Sequence, residues 1–600
     1  MIFVNKLFSR YVEIFQLAWK GFDAYRYQIL LLASLGFVGG LLESIGINAV
    51  IPLLSFIIGT GPTADLDFIS EAIRSVFLFL HIPFKFRYLL VFIILLFILK
   101  AVVTFVITYI TVKITANYES EVRSKLFRET LKAKWGYLVS QKLGHLETIL
   151  MTNVKSSSEM LERVSQMLVL FSGLLVYMLV AINISPKITI FALLLGGVLF
   201  FVLKPVLRAA RGTAHGILNA TKEVAHYVNE NVVGIKTVKT TSSENPVSEI
   251  GTNLFETLRV LRIRSTLLRS INNVLVQPIS LIFISVIFAF SFKTEGFVFS
   301  AFIAIVYLIQ RIFTHFQTLQ TNLHRMNESA PYLRNVVEYE EELRKNIEPR
   351  VGKSGGFEFR NTLSFSNVNF SYENNGPVLK DISFKIEKGD MIGIIGPSGS
   401  GKTTVVDLVL RMFVPDRGEI EVDNKNIEEI DVDEWRRNIG YVSQDMFLIN
   451  DTIENNIKFY DDSISNEDIR EAAKKAHILD FIEGTENKFQ TNIGERGVRL
   501  SFGQRQRIVL ARVLARKPEL LVLDEATSAL DNESEEQIQK AIEGLRGNIT
   551  TLIVAHRLST IENATKLIVL KDGEILEEGD PKKLIKDEGS YFYKVHNIRK

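Results

Sequence analysis

Gly396-Pro397-Ser398-Gly399-Ser400-Gly401-Lys402-Thr403 decides how the rest of this chain is read. It follows an apolar strand-like run, Met391 to Ile395, and precedes a helix-like run, Thr404 to Leu410, the setting that a phosphate-binding loop requires. Glycines at 396, 399 and 401 let the backbone bend until successive N–H groups and the start of the next helix converge on phosphate oxygens. Lys402 is then placed for the β- and γ-phosphates of a nucleotide. The Thr403 hydroxyl is placed for Mg2+, a hard cation that prefers oxygen ligands.

Working outward, the second half of the chain has the mixed charge of a soluble α/β domain, whereas the first half carries long apolar runs. A net charge of only +2 does not suggest a basic nucleic-acid platform. The absence of cysteine excludes disulfides, thiolate metal sites and cysteine nucleophiles. Met1 to Tyr27 mixes Lys6, Arg10, Lys20 and Arg26 with Phe, Leu and Trp19, and has no small-residue cleavage site before the first long apolar run. It reads as a retained interfacial helix.

Six stretches are long enough to cross a hydrocarbon core, which takes about 20 helical residues each. They run from Ile29 to Ile58, Tyr88 to Ile110, Met160 to Ile182, Ile188 to Val206, Val274 to Phe292 and Phe297 to Gln317. Lys113, Arg123, Lys125, Arg128, Lys132 and Lys134 follow the second, and Arg208, Arg211, Lys222, Lys236 and Lys239 follow the fourth. The positive-inside rule therefore turns both segments to the cytoplasm. Periodic apolar residues such as Val122, Leu126 and Leu131 predict helices that continue beyond the membrane, broken at Trp135 and Gly136 and again at Gly234. On the other side, 65–83 holds room for an amphipathic helix. The expected division is a six-span all-α transmembrane domain over 1–335, a linker over 336–356 with Pro349 to Gly356 at its end, and an α/β P-loop domain over 357–600.

Within that last domain, Tyr372 ends an alternating run, Leu363 to Tyr372, and is available to stack on a base. Gln444 follows the strand Ile439 to Val442. Leu520 to Leu523 reads as a buried parallel strand ending in Asp524 and Glu525, one suited to hold Mg2+ through water and the other to polarise an attacking water. His556 follows another apolar strand, Thr551 to Val554.

Leu500-Ser501-Phe502-Gly503-Gln504 resembles the signature motif of ATP-binding cassette proteins, and its place between Gln444 and Asp524 follows that family's order. The resemblance covers the whole chain, in the arrangement of an exporter-type half-transporter. It implies that Tyr372 is the adenine-stacking residue, Gln444 the Q-loop residue and a Mg2+ ligand, and Glu525 the catalytic carboxylate. It further implies that Ser528 to Asp531 is the D-loop, His556 the switch histidine, and that Ser501, Gly503 and Gln504 act on nucleotide from the signature. Gly494-Glu495-Arg496-Gly497 is similar to an exporter segment, which argues against an importer.

One departure stands out: Phe502 replaces the first of the family's two adjacent glycines. In this family one cassette's signature closes the nucleotide on the other cassette's loop, so a chain with a single phosphate loop implies a dimer. A homodimer with two composite ATP sites is expected, with a heterodimer as the alternative.

Charges inside the spans bear on the substrate. Glu43 lies in the first span, Lys100 in the second and Arg311 in the sixth, where an ionisable group is costly and faces a cavity or a partner. Tyr307, Arg311, Thr314, Thr318 and Thr321 share a helical face opposite Leu308, Ile312, Phe316 and Leu319, as Lys100, Thr104 and Thr108 do on the second span. If Lys100 neutralises Glu43, Arg311 is left without a partner. That suits an anionic lipid-linked phosphate, which arginine binds bidentately. A purely structural Glu43 and Lys100 pair is the plainer alternative. The Glu-x-x-x-x-Asn pattern before Ile51-Pro52, with Leu80 to Pro83, is similar to flippases of lipid-linked oligosaccharides. The expectation is therefore an ATP-driven, Mg2+-dependent exporter or flippase of the cell (inner) membrane, its cassette cytoplasmic. A multidrug or peptide exporter is the alternative, and six spans argue against a cassette ATPase of DNA or ribosomes.

Overall fold

The structure, a computed structural model, describes residues 13–58, 68–141, 145–186, 189–190, 213, 216–217, 219–292, 299–350, 357–372, 376–524, 532–555 and 561–598. The chain divides into two compact units, Met1–Lys132 with Gln141–Asn346, and Ala133–Ser140 with Ile347–Lys600.

The first unit is helical. Residues 13–21 form a helix, followed by α1 (Arg26–Asn48), α2 (Val50–Ile58), α3 (Phe68–Phe79) and α4 (Phe86–Thr130). Next come α5 (Trp135–Ser140), which belongs to the second unit, then α6 (Val154–Ile184), α7 (Glu244–Ser291) and α8 (Phe299–Lys345). Among the described residues, four stretches are long and apolar enough to cross a membrane: Asp23–Ile57, Phe86–Thr130, His145–Ile184 and Phe302–Lys345. They contain the expected second and third spans and cover the first up to Ile57 and the sixth from Phe302 onward. The expected fourth, Ile188 to Val206, lies almost wholly outside the described residues, and Val274 to Phe292 closes α7. On α4, Val91, Leu95, Ile98, Val102 and Phe105 are each more than half exposed. A helix apolar on every side is stable in hydrocarbon, where its backbone is satisfied internally.

Glycine sets the closest crossing. A Cβ on Gly36 would lie 2.9 Å from the Val169 Cα, and one on Gly40 3.1 Å from the Gly173 Cα. Thus α1 and α6 meet at backbone distance, the close approach that small residues four apart allow in lipid. The register then advances in step, bringing Glu43 and Tyr177 together one turn further along each helix. The amphipathic helix anticipated within 65–83 is α3, with Ile73 and Phe77 buried against Ala49 and Leu89. Within the stretch allotted to the linker, Glu338 to Lys345 also reads as a charged helix end, and residues 336–345 do close α8, with Val336, Tyr339 and Leu343 buried. That burial holds the helix together past its membrane portion.

In the second unit the strands are β1 (Thr362–Ser371), β2 (Pro377–Glu387), β3 (Met391–Ile395), β4 (Arg417–Val422), β5 (Lys425–Asn426), β6 (Ile439–Val442), β7 (Leu520–Asp524), β8 (Thr550–Val554), β9 (Lys566–Lys571) and β10 (Glu574–Gly579). They form an antiparallel sheet in the order β2-β1-β4-β5 and a six-stranded sheet in the order β10-β9-β3-β8-β7-β6. In the larger sheet β3 pairs in parallel with β8 and β9, and β7 in parallel with β6 and β8. Strands β3, β7 and β8 are buried along their whole length, as parallel strands covered on both faces must be. Ligands of such sheets bind beyond the carboxyl ends of the strands, and it is there that the sequence puts its chemistry. The phosphate loop follows β3, Gln444 follows β6, and Asp524 is the last residue of β7. The break expected at Trp135 and Gly136 falls just before them, between Thr130 and Trp135; both residues lie in α5, which belongs to this unit, and a Cβ on Gly136 would lie 3.2 Å from Phe413 Cε1.

Candidate nucleotide site and intramembrane ion cluster

The loop after β3 is held so tightly that two of its glycines have no substitute. A Cβ at Gly396 would sit 2.1 Å from the Leu570 carbonyl oxygen, and Gly401 has φ +101° at the start of α9 (Lys402–Val409). Pro397, Ser398 and Gly399 are exposed, as is Thr403 in the first turn of α9. Lys402 is buried, and its Nζ donates to the carbonyls of Gly396 and Pro397, both at 3.0 Å. The Ser400 hydroxyl is buried with no hydrogen-bond partner among the described residues. An open rim of backbone, a captive ammonium and an orphan hydroxyl fit a polyphosphate with its cation.

Tyr372 donates to or accepts from the Thr404 hydroxyl at 3.1 Å and packs edge-on against Phe370 and Phe413, at 5.0 and 5.3 Å between ring centroids. Its phenol therefore marks one side of the loop helix. Beside that phenol lies a feature that sequence reasoning missed. Burial, and then the charge of Asp524, push the Asp407 carboxyl up to about 6 against a hydrogen bond from Tyr372 that opposes the shift. Tyr441, hydrogen-bonded to Asp524, is raised by burial and by the same carboxylates. The signal was an aspartate on the inner face of a helix behind a phosphate loop, close to a strand ending in Asp524.

Ser501 caps α10 (Phe502–Leu514). Its Oγ accepts the Gln504 N–H at 3.2 Å, and Gln504 Oε1 accepts the Ser501 N–H at 2.9 Å, a reciprocal capping box. Gly503 is buried in the first turn. Phe502 is half-buried against the cassette core, with the Arg505 guanidinium 5.7 Å from its ring centroid. The phenylalanine is thus packed into the cassette. Gln444 is exposed. Glu525, the D-loop from Ser528 to Asp531 and His556 lie outside the described residues.

In the membrane unit, Glu43 is 2 % exposed and gathers four side chains. Lys100 Nζ lies 2.6 Å from its Oε2, which also accepts the Tyr177 hydroxyl; its Oε1 accepts Arg311 Nε at 2.7 Å and the Tyr307 hydroxyl at 3.1 Å. The expectation that Arg311 is left over once Lys100 has neutralised Glu43 is therefore corrected. One carboxylate has two oxygens, and each takes one cation. Tyr177 went unnoticed in the sequence because its partnership depends on the α1 and α6 crossing. On α8, Leu308 and Ile312 are buried while Tyr307, Thr314 and Thr318 are exposed, as the stripe predicts, although Phe316 is 38 % exposed. The hydroxyls of Thr104, Thr108, Thr314, Thr318 and Thr321 each donate to a carbonyl one turn back, so their helix already satisfies them.

Comparison with known proteins agrees with both units. Residues 379–528 match the ABC transporter family and residues 29–296 the ABC transporter transmembrane region. The chain is 31 % identical over 499 residues to the heterocyst differentiation ATP-binding protein HepA of Nostoc sp., covering 80 % of this chain and 79 % of the relative. It is 32 % identical over 489 residues to the ATP-dependent lipid A-core flippase of Coxiella burnetii, covering 79 % and 81 %. Its fold is similar to a structure of a bacterial Atm1-family ABC exporter with ATP bound, with TM-score 0.76, 20 % identity, and coverage of 96 % of this chain and 99 % of that one.

Proposed function

This chain belongs to the ABC transporter family, and on that footing we propose that it is an ATP-driven flippase of an amphipathic, anionic lipid-linked substrate. The membership itself makes it an integral membrane protein with the exporter fold, in which a cassette couples ATP hydrolysis to transport. The observation that carries the substrate reading is the balance of the ion cluster: Lys100 and Arg311 share the single carboxylate of Glu43. The surplus positive charge is suited to a phosphate, and the flippase relatives support a lipid cargo.

In this reading the protein works as a homodimer in the cell (inner) membrane, cassettes in the cytoplasm. Lys402 and the N–H groups of 396–404 hold the phosphates of ATP, Tyr372 its base, and Ser501 and Gly503 of the other protomer close the site. Thr403, Gln444 and Asp524 would hold Mg2+, which when bound offsets the charge of the phosphates. Glu525 takes the proton of the attacking water and His556 orients the reacting groups, as the family resemblance implies.

An apolar pocket of about 290 Å3 lined by Phe15, Trp19, Phe22 and Phe171 favours the second reading, a multidrug or peptide exporter. The two are separated by reconstituting the protein into vesicles and following ATPase activity and leaflet exchange. Lipid-linked phosphates should stimulate both. Arg311→Ala should abolish that stimulation and Arg311→Lys restore only part of it, since lysine lacks the guanidinium fork. Stimulation by uncharged amphiphiles but not by lipid phosphates would transfer the assignment to the second reading.

A further inference from the structure

The ion cluster is asymmetric in what it hides. Four donors, from α4, α6 and α8, surround the two oxygens of Glu43, so the carboxylate's capacity to accept is nearly filled. Its cations are not filled in the same way. An ammonium has three N–H groups and a guanidinium five, and here the Lys100 and Arg311 side chains remain 22 % and 35 % exposed while Glu43 is sealed at 2 %. Tyr307, on the same side as Arg311, is 38 % exposed. An anion arriving at the open side therefore meets two cations and a phenol, with the competing carboxylate behind them. The formal charge it meets is one positive unit per protomer, because a second unit is already cancelled by Glu43.

We propose that Glu43 is a built-in counter-ion that competes with the substrate's phosphate for Lys100 and Arg311, and so keeps binding weak enough for release. This rests on the anionic-lipid reading above. With no carboxylate, two cations in a site of low polarity would grip a phosphate strongly, since opposite charges attract far more there than in water. A transported ligand must also leave, so affinity beyond what capture needs slows the cycle. With Glu43 in place, the cations have a partner to return to when the phosphate departs, and no bare charge is stranded within the membrane. Tyr177 keeps the carboxylate oriented for that return.

The test uses the full chain in phosphatidylcholine vesicles doped with a polyprenyl phosphate, with the uncharged polyprenol and inorganic phosphate as separate arms. The reading is the concentration giving half-maximal stimulation of ATP hydrolysis, together with the maximal rate. For Glu43→Gln, which keeps size and an acceptor oxygen but removes the charge, we expect that concentration to fall at least tenfold and the maximal rate to fall with it. For Glu43→Gln with Lys100→Gln, which restores one positive unit, we expect a value near the parental one, and this variant serves if the single one does not assemble. A half-maximal concentration unchanged or raised in Glu43→Gln, or raised tenfold in the double variant, overturns the proposal while the flippase reading stands. A parental chain indifferent to polyprenyl phosphate overturns both, as does equal stimulation by inorganic phosphate or by the polyprenol.

Discussion

Tyr177 gives its hydroxyl hydrogen to the Glu43 carboxylate across a helix crossing at which Gly40 and Gly173 all but touch. The crossing is the cause and the hydrogen bond the effect. With any bulkier pair, α1 and α6 would stand further apart and the carboxylate would lose its innermost donor.

Gly36→Leu should therefore damage the membrane unit, because even a Cβ there lies 2.8 Å from Ser172 Oγ and 2.9 Å from the Val169 backbone. The overpacking should cost about 1–3 kcal/mol. A thermal melt of the purified protein should fall by several degrees. Gly39→Ala, whose Cβ meets only Val103 Cγ1 at 3.7 Å, should melt with the parent. Equal melting of Gly36→Leu and the parent would remove the crossing from the account.

Lys402→Ala and Glu525→Gln should fail in different ways. Loss of the Lys402 charge, which the loop carbonyls now hold, should weaken ATP binding and abolish turnover. Glu525→Gln should bind ATP normally and hydrolyse it at least a hundredfold more slowly, since an amide cannot accept the proton. Binding of a fluorescent ATP analogue beside phosphate release distinguishes them, and parental turnover in either variant contradicts its assigned role.

Asp407 gives the cassette a pH dependence of definite sign. Its carboxyl is raised from 3.8 to about 6, so the folded state holds a proton that the unfolded state has released between those values. The fold is favoured below about pH 4, loses that advantage as pH rises to about 6, and carries the full penalty above it. Asp407→Asn should accordingly raise the nucleotide-free melting temperature at pH 7.5, by the equivalent of about 1–3 kcal/mol, and leave it unchanged near pH 4. An equal effect at both pH values would mean the substitution acts through something other than charge.

Phe502→Gly should separate stability from activity. It removes a half-buried ring from the core and the surface on which Arg505 rests, and it puts glycine in the first turn of α10, at a cost of about 1–3 kcal/mol. ATPase activity per folded molecule should be preserved or raised. A large loss in fully folded protein would place the ring in the closed site itself.

The cassette was legible because its chemistry is local: the phosphate loop, Gln444 and Asp524 each sit at the end of a strand run, and the sheet gathers the carboxyl ends of β3, β6 and β7. The same holds for the buried and open faces of α8 around Leu308 and Tyr307. What escaped depends on distances that only packing sets. The pairing of Glu43 with Lys100 could be anticipated, yet Arg311's share in the same carboxylate follows from helix rotations fixed in part by Gly36 and Gly40. Asp407 looked like one acid among many until burial beside Asp524 gave it a different ionisation. The charged end of α8, Glu338 to Lys345, was legible as helix, but the burial of Tyr339 and Leu343 that supports it was not.

The sharing of Glu43 also dictates an order of assembly. As the chain is made, Glu43 and then Lys100 enter the bilayer, and each charge alone at mid-membrane costs roughly 2.5–3.5 kcal/mol on the insertion scale. Paired, they can go in as a neutral hairpin. Arg311 is synthesised 268 positions after Glu43, when the acid that will receive it is already embedded. The early hairpin is thus a template for the last helix, and a nascent chain lacking Glu43 would meet its difficulty twice, once at each cation, before transport had begun.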